Sequence, residues 1–287
     1  MTNEPISALL PKFIDELKSK DRSPATILAY RADLEQLIIY LSGKNKASAE
    51  QVTSSDLESF RDWLLMQKYT PKSTSRKLNA VKTFFRWAKG QNLINIDPSK
   101  NVGHPKIEAS VPKFLSPLEY RALRDTVKSD LRIAAIVELI LQTGVRISEV
   151  ANLKLMNING EALMVEAYAT QPTRNITLNN PAKLAITAHI KERPKSDSPF
   201  VFISKNGKPL AIRNIRAAID RYMQKAEIGK FSVNDLRTTF IVENLKRGVD
   251  LVTISQVAGH KRLSTTERYL ELAKIKEPGK KQKLEEL

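Results

Sequence analysis

The sequence predicts a mainly α-helical chain in two domains, the second carrying a small β-hairpin. Three observations lead there. Apolar residues recur every three or four positions over most of the chain, the spacing of amphipathic helices. Strand-like alternation is confined to about 162–178 and the short run FVFIS. Between 98 and 113 the periodicity lapses, and Pro98, Gly103, Pro105 and Pro112 mark a linker. The expected division is an all-α domain at 1–97, a linker at 98–113 and a mixed domain at 114–287.

In the first domain, Leu9, Leu10, Phe13, Ile14 and Leu17 form one stripe over about 5–20, a first helix despite Pro11. Ser23 and Pro24 supply a cap and a first-turn proline for a second helix, with Tyr30, Leu34, Leu37, Ile38 and Leu41 on one face. Ser54 or Ser55 is expected to cap a third, which carries Leu57, Phe60, Trp63 and Leu64. Thr70-Pro71 opens a fourth that runs through Leu78, Val81, Phe84, Phe85 and Trp87 to Gly90. Short links and no strand pattern make this a small helical domain. Lys72, Ser73, Thr74, Arg76, Lys77 and Lys82 are placed along the outer sides of the fourth helix, and Ser23, Thr26 and Arg31 at the start of the second. Such residues make a solvated face or a phosphate-contacting one.

The second domain opens at Ser116, Pro117 and Glu119, a capped helix start. In DLRIAAIVELILQTG, apolar residues surround most of the helix, which implies burial, and Gly144 stops it. Arg146 therefore follows a buried helix and starts a short one, a rigid base for a charged side chain. Two strands at about 162–168 and 174–178 flank a turn near Gln171-Pro172, and FVFIS reads as a short buried strand. Further helices are expected at about 181–193, 212–227, 232–247, 250–258 and 263–272, with LKRGVD closing one of them on its glycine. The last residues, KIKEPGKKQKLEEL, are a polar, basic tail.

Charge narrows the partners. The 287 residues hold 47 Lys and Arg against 31 Asp and Glu, a net charge of +16, which favours a polyanion: nucleic acid or a membrane surface. Up to residue 110 there are 17 basic and 12 acidic residues, and beyond it 30 and 19, so the two parts carry +5 and +11. No apolar run approaches the roughly 20 residues of a spanning helix, and MTNEPISALL lacks a signal peptide's pattern. A soluble, cytoplasmic, nucleoid-associated protein is expected, with no membrane partner. With no cysteine and three scattered histidines, His104, His189 and His260, disulfides, thiol catalysis and a His-rich metal site are excluded. The chemistry is expected to need neither metal nor cofactor.

The stretch from Phe231 to Tyr269 gathers groups suited to that chemistry: Arg237 on a helix, His260 after Gly259, and Tyr269 nine residues on. With Arg146 upstream they form a phosphoryl-transfer set. Guanidinium forks grip non-bridging phosphate oxygens where charge builds, and a phenol serves as nucleophile.

The order TGVRISE, DLRTTF, GHKRLSTTERY resembles the tyrosine recombinase (phage integrase) family, its Xer-like branch in particular. SPATILAYRADL and TPKSTSRKLNAVKTFFRWA resemble the family's core-binding domain. The resemblance implies a two-domain, C-shaped clamp around double-stranded DNA and site-specific cutting and rejoining through a 3′-phosphotyrosyl link. Tyr269 is then the nucleophile, Arg146 and Arg237 hold the phosphate, His260 assists, Glu149 braces the site and Asn234 fills the remaining contact. DNA contact is expected from the nine N-terminal residues named above and from Arg174, Lys261 and Arg262. Two duplexes must be joined, so a homotetramer on paired sites is implied.

Two positions depart from the family pattern. The hairpin lysine that protonates the departing 5′ oxygen aligns with Ala169, leaving Arg174 the nearest cation, a poor proton donor. The family's His-x-x-Arg reads Asn234-Asp235-Leu236-Arg237, and an amide cannot carry a proton between reactants. These substitutions imply a slow recombinase, and three alternatives stand beside it: a DNA-binding accessory relative, a type IB topoisomerase-like relaxing enzyme and a plain helical DNA-binding protein.

Overall fold

Caps written into the sequence begin three of the first four helices. In the computed structural model, which describes residues 4–108, 111–167 and 172–274, the chain falls into two units, Met1–Ser110 and Val111–Leu287. The first contains α1 (Ile6–Ser19), α2 (Pro24–Ser42), α3 (Ser54–Met66) and α4 (Pro71–Gly90). Ser23 Oγ accepts from the Thr26 amide at 3.2 Å ahead of Pro24. Thr70 does the same for Ser73 ahead of Pro71. At α3 the cap is Thr53 rather than Ser54 or Ser55: Asp56 closes a reciprocal box with it at 2.9 Å, and Lys46 pairs with the same carboxylate. Phe13, Leu34, Leu37, Leu57, Phe60, Leu78, Phe84 and Phe85 form the core, with Phe13 set edge-on to Phe84 at 5.5 Å. Val102 packs into this core too, and Ser54 Oγ donates to the Pro98 carbonyl, so the start of the proline-marked stretch is held by the first unit.

The expectation that Thr74 and Lys77 face outward is corrected: both are buried. Thr74 is buried with its hydroxyl unpartnered among the described residues; Lys77 is drawn in by Asp33 on α2, itself only 1% exposed. A buried carboxylate needs cationic partners, and it draws Lys77 Nζ to 3.0 Å and Arg76 Nη2 to 2.9 Å. Lys77 also lies over the Tyr69 ring, 4.8 Å from its centre. Arg31, Lys72 and Arg76 are exposed, and Ser23, Thr26, Ser73 and Lys82 are partly so.

In the second unit, α5 (Pro117–Val127), α6 (Leu131–Thr143) and α7 (Ile147–Ala151) precede β1 (Ile158–Asn159), β2 (Ala162–Val165) and β3 (Arg174–Thr177). Then follow α8 (Asn180–Glu192), α9 (Ile212–Lys225), α10 (Val233–Lys246), α11 (Leu251–Ala258), α12 (Ser264–Glu267) and α13 (Leu270–Lys274). The sheet is antiparallel in the order β1-β2-β3, with Ala162 opposite Thr177 and Val165 opposite Arg174. Ile133, Ile136, Leu139 and Ile140 of α6 lie at the centre of the core, against Leu163 and Ile176 of the sheet, Ile186 of α8, Ile215 and Ile219 of α9, and Phe202. Ser116 and Glu119 cap α5 reciprocally.

Three expectations change. β2 ends at Val165, and residues 168–171, which include Ala169 and where the turn is expected, lie outside the described residues. FVFIS forms no strand, because its backbone serves two separate segments. The Val201 amide donates to Leu153 O at 2.8 Å, while Phe202 O accepts from the Leu210 amide at 2.9 Å. The helix expected at 263–272 is two, α12 and α13, and Tyr269 sits at the break. Among the described residues no helix is long and apolar enough to cross a membrane.

Candidate active site

The site begins with a sharp turn. Gly144 caps α6 in the left-handed region, φ +65, where a side chain is disfavoured. A Cβ there would also lie 2.4 Å from Phe240 Cδ1 of α10. The turn delivers Arg146 to the start of α7, where its amide donates to Glu149 Oε2 at 2.7 Å. Arg237, on α10, donates from Nη1 to the Gly144 carbonyl, so the two arginines are tied through one turn although 91 positions separate them.

Glu149 is the single carboxylate bonded to this group among the described residues, and its side chain is 2% exposed. Arg146 Nη1 reaches Oε1 at 3.1 Å, while Arg174 forks onto both oxygens at 2.9 and 2.8 Å. Burial alone would raise the Glu149 carboxyl. The Arg174 hydrogen bonds, the Arg146 amide and both guanidinium charges outweigh that and hold it below its ordinary value. Arg174 is thus committed inward: its Nε also donates to Val257 O at 2.8 Å. Its expected place on a DNA-contacting surface is not where the structure puts it, because Glu149 and the end of α11 take its donors.

The carbonyls at the C-terminal end of α11 complete the frame. Arg146 donates to Ala258 O at 3.3 Å and to Gly259 O at 2.7 Å, cations meeting the negative end of a helix. Three of its five N–H bonds are then engaged; Nε and one Nη2 hydrogen carry none among the described residues, leaving a fork for an anion. Gly259 has φ +69, and a Cβ there would lie 2.7 Å from Arg174 Nη1. A glycine is required twice over: by the left-handed turn and by the guanidinium beneath it.

That turn presents His260, whose Nδ1 sits 2.8 Å from the hydroxyl of Thr266. The His260 ring lies nearly parallel to Tyr269, 14° apart with centres at 6.5 Å. Burial, then the charges of Arg237, Arg146, Arg174 and Arg268, push the imidazole down to about 4, so it is neutral at neutral pH. Burial and then Arg146 push the Arg237 guanidinium down to about 9, against Glu149 and Tyr269, and it remains a cation. Tyr269 packs on Phe240, Ile241, Ile254 and Ala258, with Arg268 over its ring at 5.6 Å.

Three guanidiniums against one carboxylate leave this pocket two positive charges in excess. It suits an oxyanion whose charge rises from one to two, as in attack on a phosphodiester. Arg146, Glu149, Arg237, His260 and Tyr269 are gathered here. Asn234, one turn before Arg237, is exposed, and its side chain forms no hydrogen bond among the described residues. Lys261 and Arg262, just after His260, are exposed. Among the described residues no group of three or more His, Cys, Asp and Glu could hold a metal ion. Sequence reasoning missed Thr266 and the inward role of Arg174; only the threonine pair in LSTTERY hinted at the first.

Comparison with known proteins agrees with this geometry. Residues 113–275 match the model of the phage integrase family, and residues 10–92 that of the phage integrase N-terminal SAM-like domain. A tyrosine recombinase XerC of Roseiflexus sp. (strain RS-1) is 28% identical over 280 residues, spanning 93% of this chain and 88% of the relative. The crystal structure of XerA recombinase is 26% identical, with a TM-score of 0.53 over 92% of this chain and 93% of that one. A lambda integrase tetramer bound to a Holliday junction, 15% identical, shares the fold with a TM-score of 0.80 over 98% of this chain and 81% of its own. With more than half its length matched and its arginines, histidine and tyrosine in one pocket, the chain belongs to the phage integrase family of tyrosine recombinases.

Proposed function

We propose that this chain is a site-specific DNA recombinase in which Tyr269 attacks the scissile phosphate. The observation that carries the reading is the cationic pocket around Glu149, with His260 and Tyr269 at its edge. The Tyr269 oxygen bonds to phosphorus as the bond to the 5′ oxygen breaks; the phenol loses a proton and the 5′ oxygen gains one. The 3′-phosphotyrosyl link conserves the bond energy, so rejoining needs no external energy source. Arg146, through its unengaged fork, and Arg237 hold the non-bridging oxygens. Glu149 and the carbonyls of Ala258 and Gly259 hold Arg146, and Arg174 holds Glu149. His260 is neutral and serves as hydrogen-bond donor or proton acceptor, and Asn234 contributes a hydrogen bond without proton transfer.

Double-stranded DNA is the partner, contacted through Arg31, Lys72, Arg76 and Lys82 with Ser23, Thr26 and Ser73 in the first unit, and through Lys261 and Arg262 in the second. Solved neighbours described as dimers and a tetramer on DNA support assembly of four copies on paired sites. The place of action is the cytoplasm, on the nucleoid. Asn234 and Ala169 slow the chemistry relative to family members with proton-carrying groups at the aligned positions.

The test is a duplex nicked near its cut site, which traps the covalent complex. Wild-type protein should become attached to DNA and Tyr269→Phe should not, with affinity nearly unchanged. Attachment by the Phe variant would remove Tyr269 from this role.

A further inference from the structure

Thr266 is fully buried, yet it is a polar residue at the centre of a four-residue helix. Its two polar ends meet the two groups just discussed. The hydroxyl lies 2.8 Å from His260 Nδ1. The carbonyl accepts from the Tyr269 amide at 3.0 Å, a three-residue spacing at the point where α12 gives way to α13. The side chain thus meets the imidazole of His260, and the carbonyl fixes the backbone of Tyr269, whose ring lies nearly parallel to that imidazole. The His260 backbone is fixed separately, its amide donating to Ser255 O at 2.9 Å.

We infer that Thr266 is a positioning residue that orients the His260 ring and couples it to the placement of Tyr269. The inference rests on the reading that Tyr269 and His260 act on a phosphate. A neutral imidazole carries one N–H, and the group facing Nδ1 decides what Nε2 can do. A hydroxyl both donates and accepts. When Thr266 donates to Nδ1, Nε2 carries the hydrogen and donates to a phosphate oxygen; when it accepts, Nε2 is free to take a proton. A carboxylate in its place would hold Nδ1–H permanently and add a negative charge to a pocket built to receive an anion. Threonine orients the ring without that electrostatic penalty.

Thr266→Val keeps the volume and removes the hydrogen bond; Thr266→Ser keeps the hydroxyl and removes a methyl. Single-turnover cleavage of the nicked duplex should fall by about 10- to 100-fold in the Val variant, by analogy with the loss of a partner that orients a metal-bound histidine, and stay within about threefold in the Ser variant. DNA affinity should hold in both. Nitrogen NMR of the His260 imidazole should show Nδ1 shifted in the Val variant alone, a readout that loose packing would not move selectively. Wild-type cleavage and an unmoved Nδ1 signal in Thr266→Val overturn the inference. So does a Ser variant as slow as Val, which also decides the matter if Val fails to fold. Tyr269→Phe runs in parallel: attachment there sinks the proposed function, whereas an inert Phe variant beside a normal Val variant sinks only the role of Thr266.

Discussion

Glu149→Gln should destabilise the second unit by about 3–5 kcal/mol, the usual loss when one partner of a buried ion pair is removed. The carboxylate accepts four hydrogen bonds, from the Arg146 amide, Arg146 Nη1 and both terminal nitrogens of Arg174. Glutamine offers one oxygen and turns an N–H₂ group toward donors that cannot accept it. More costly still, the pocket is left with three guanidiniums and no anion. Each lost attraction is worth about 4 kcal/mol gross at 4 Å and an effective dielectric of 20, partly offset because the charge no longer has to be desolvated. The assay is urea unfolding with and without sodium sulfate, in the absence of DNA. Sulfate should restore the variant more than it stabilises wild type, since an anion bound only by the folded state adds about 1.4 kcal/mol at ten times its dissociation constant. A loss under about 1 kcal/mol, or equal sulfate stabilisation of both proteins, would refute this account of the pocket.

Other perturbations separate the remaining parts. Gly144→Ala should lower stability by roughly 2–4 kcal/mol in thermal melts, from the left-handed backbone and the contact with Phe240; an unchanged melting temperature would mean the turn relaxes freely. His260 falls from 6.5 to about 4 in the folded chain, so the unfolded chain binds its proton first. Stability should therefore rise with pH between about 4 and 6.5 by up to roughly 3 kcal/mol and level off above, less because the ring is partly exposed; His260→Gln should flatten that slope in urea titrations at pH 4.5 and 7.5. Asn234→His should speed single-turnover cleavage, by up to the roughly 10²-fold or more of a general acid–base group, with little change in DNA affinity; equal rates would show that another residue already carries the proton.

Local signals were legible where a residue and its partner are close in sequence. Ser23-Pro24, Thr70-Pro71 and the Ser116–Glu119 box mark helix starts within three residues, and Gly144 marks an end. Arg146, Arg237, His260 and Tyr269 were legible as a set because order and residue type together point to phosphate chemistry. What escaped depends on distant partners. Lys77 turns inward because of Asp33, 44 positions away, and Arg174 because of Glu149 and Val257. The break at Tyr269 escaped because 263–272 has a continuous helical pattern, and the Thr266 hydrogen bonds that accompany the break leave no trace in periodicity.

The end of α11 makes that helix a ruler. Three successive carbonyls, those of Val257, Ala258 and Gly259, receive Arg174 and Arg146, so a hydrogen-bonding pattern from two other parts of the chain is indexed to one helix terminus. Adding or deleting a single residue within Leu251–Ala258 would rotate those carbonyls by about 100° and move them about 1.5 Å along the axis. Both guanidiniums would lose their rests at once, and the His260 turn would swing with them. Point substitutions on the exposed face of α11 leave that index untouched. Length in this segment is therefore constrained far more tightly than composition, and variation should enter it by replacement rather than by insertion.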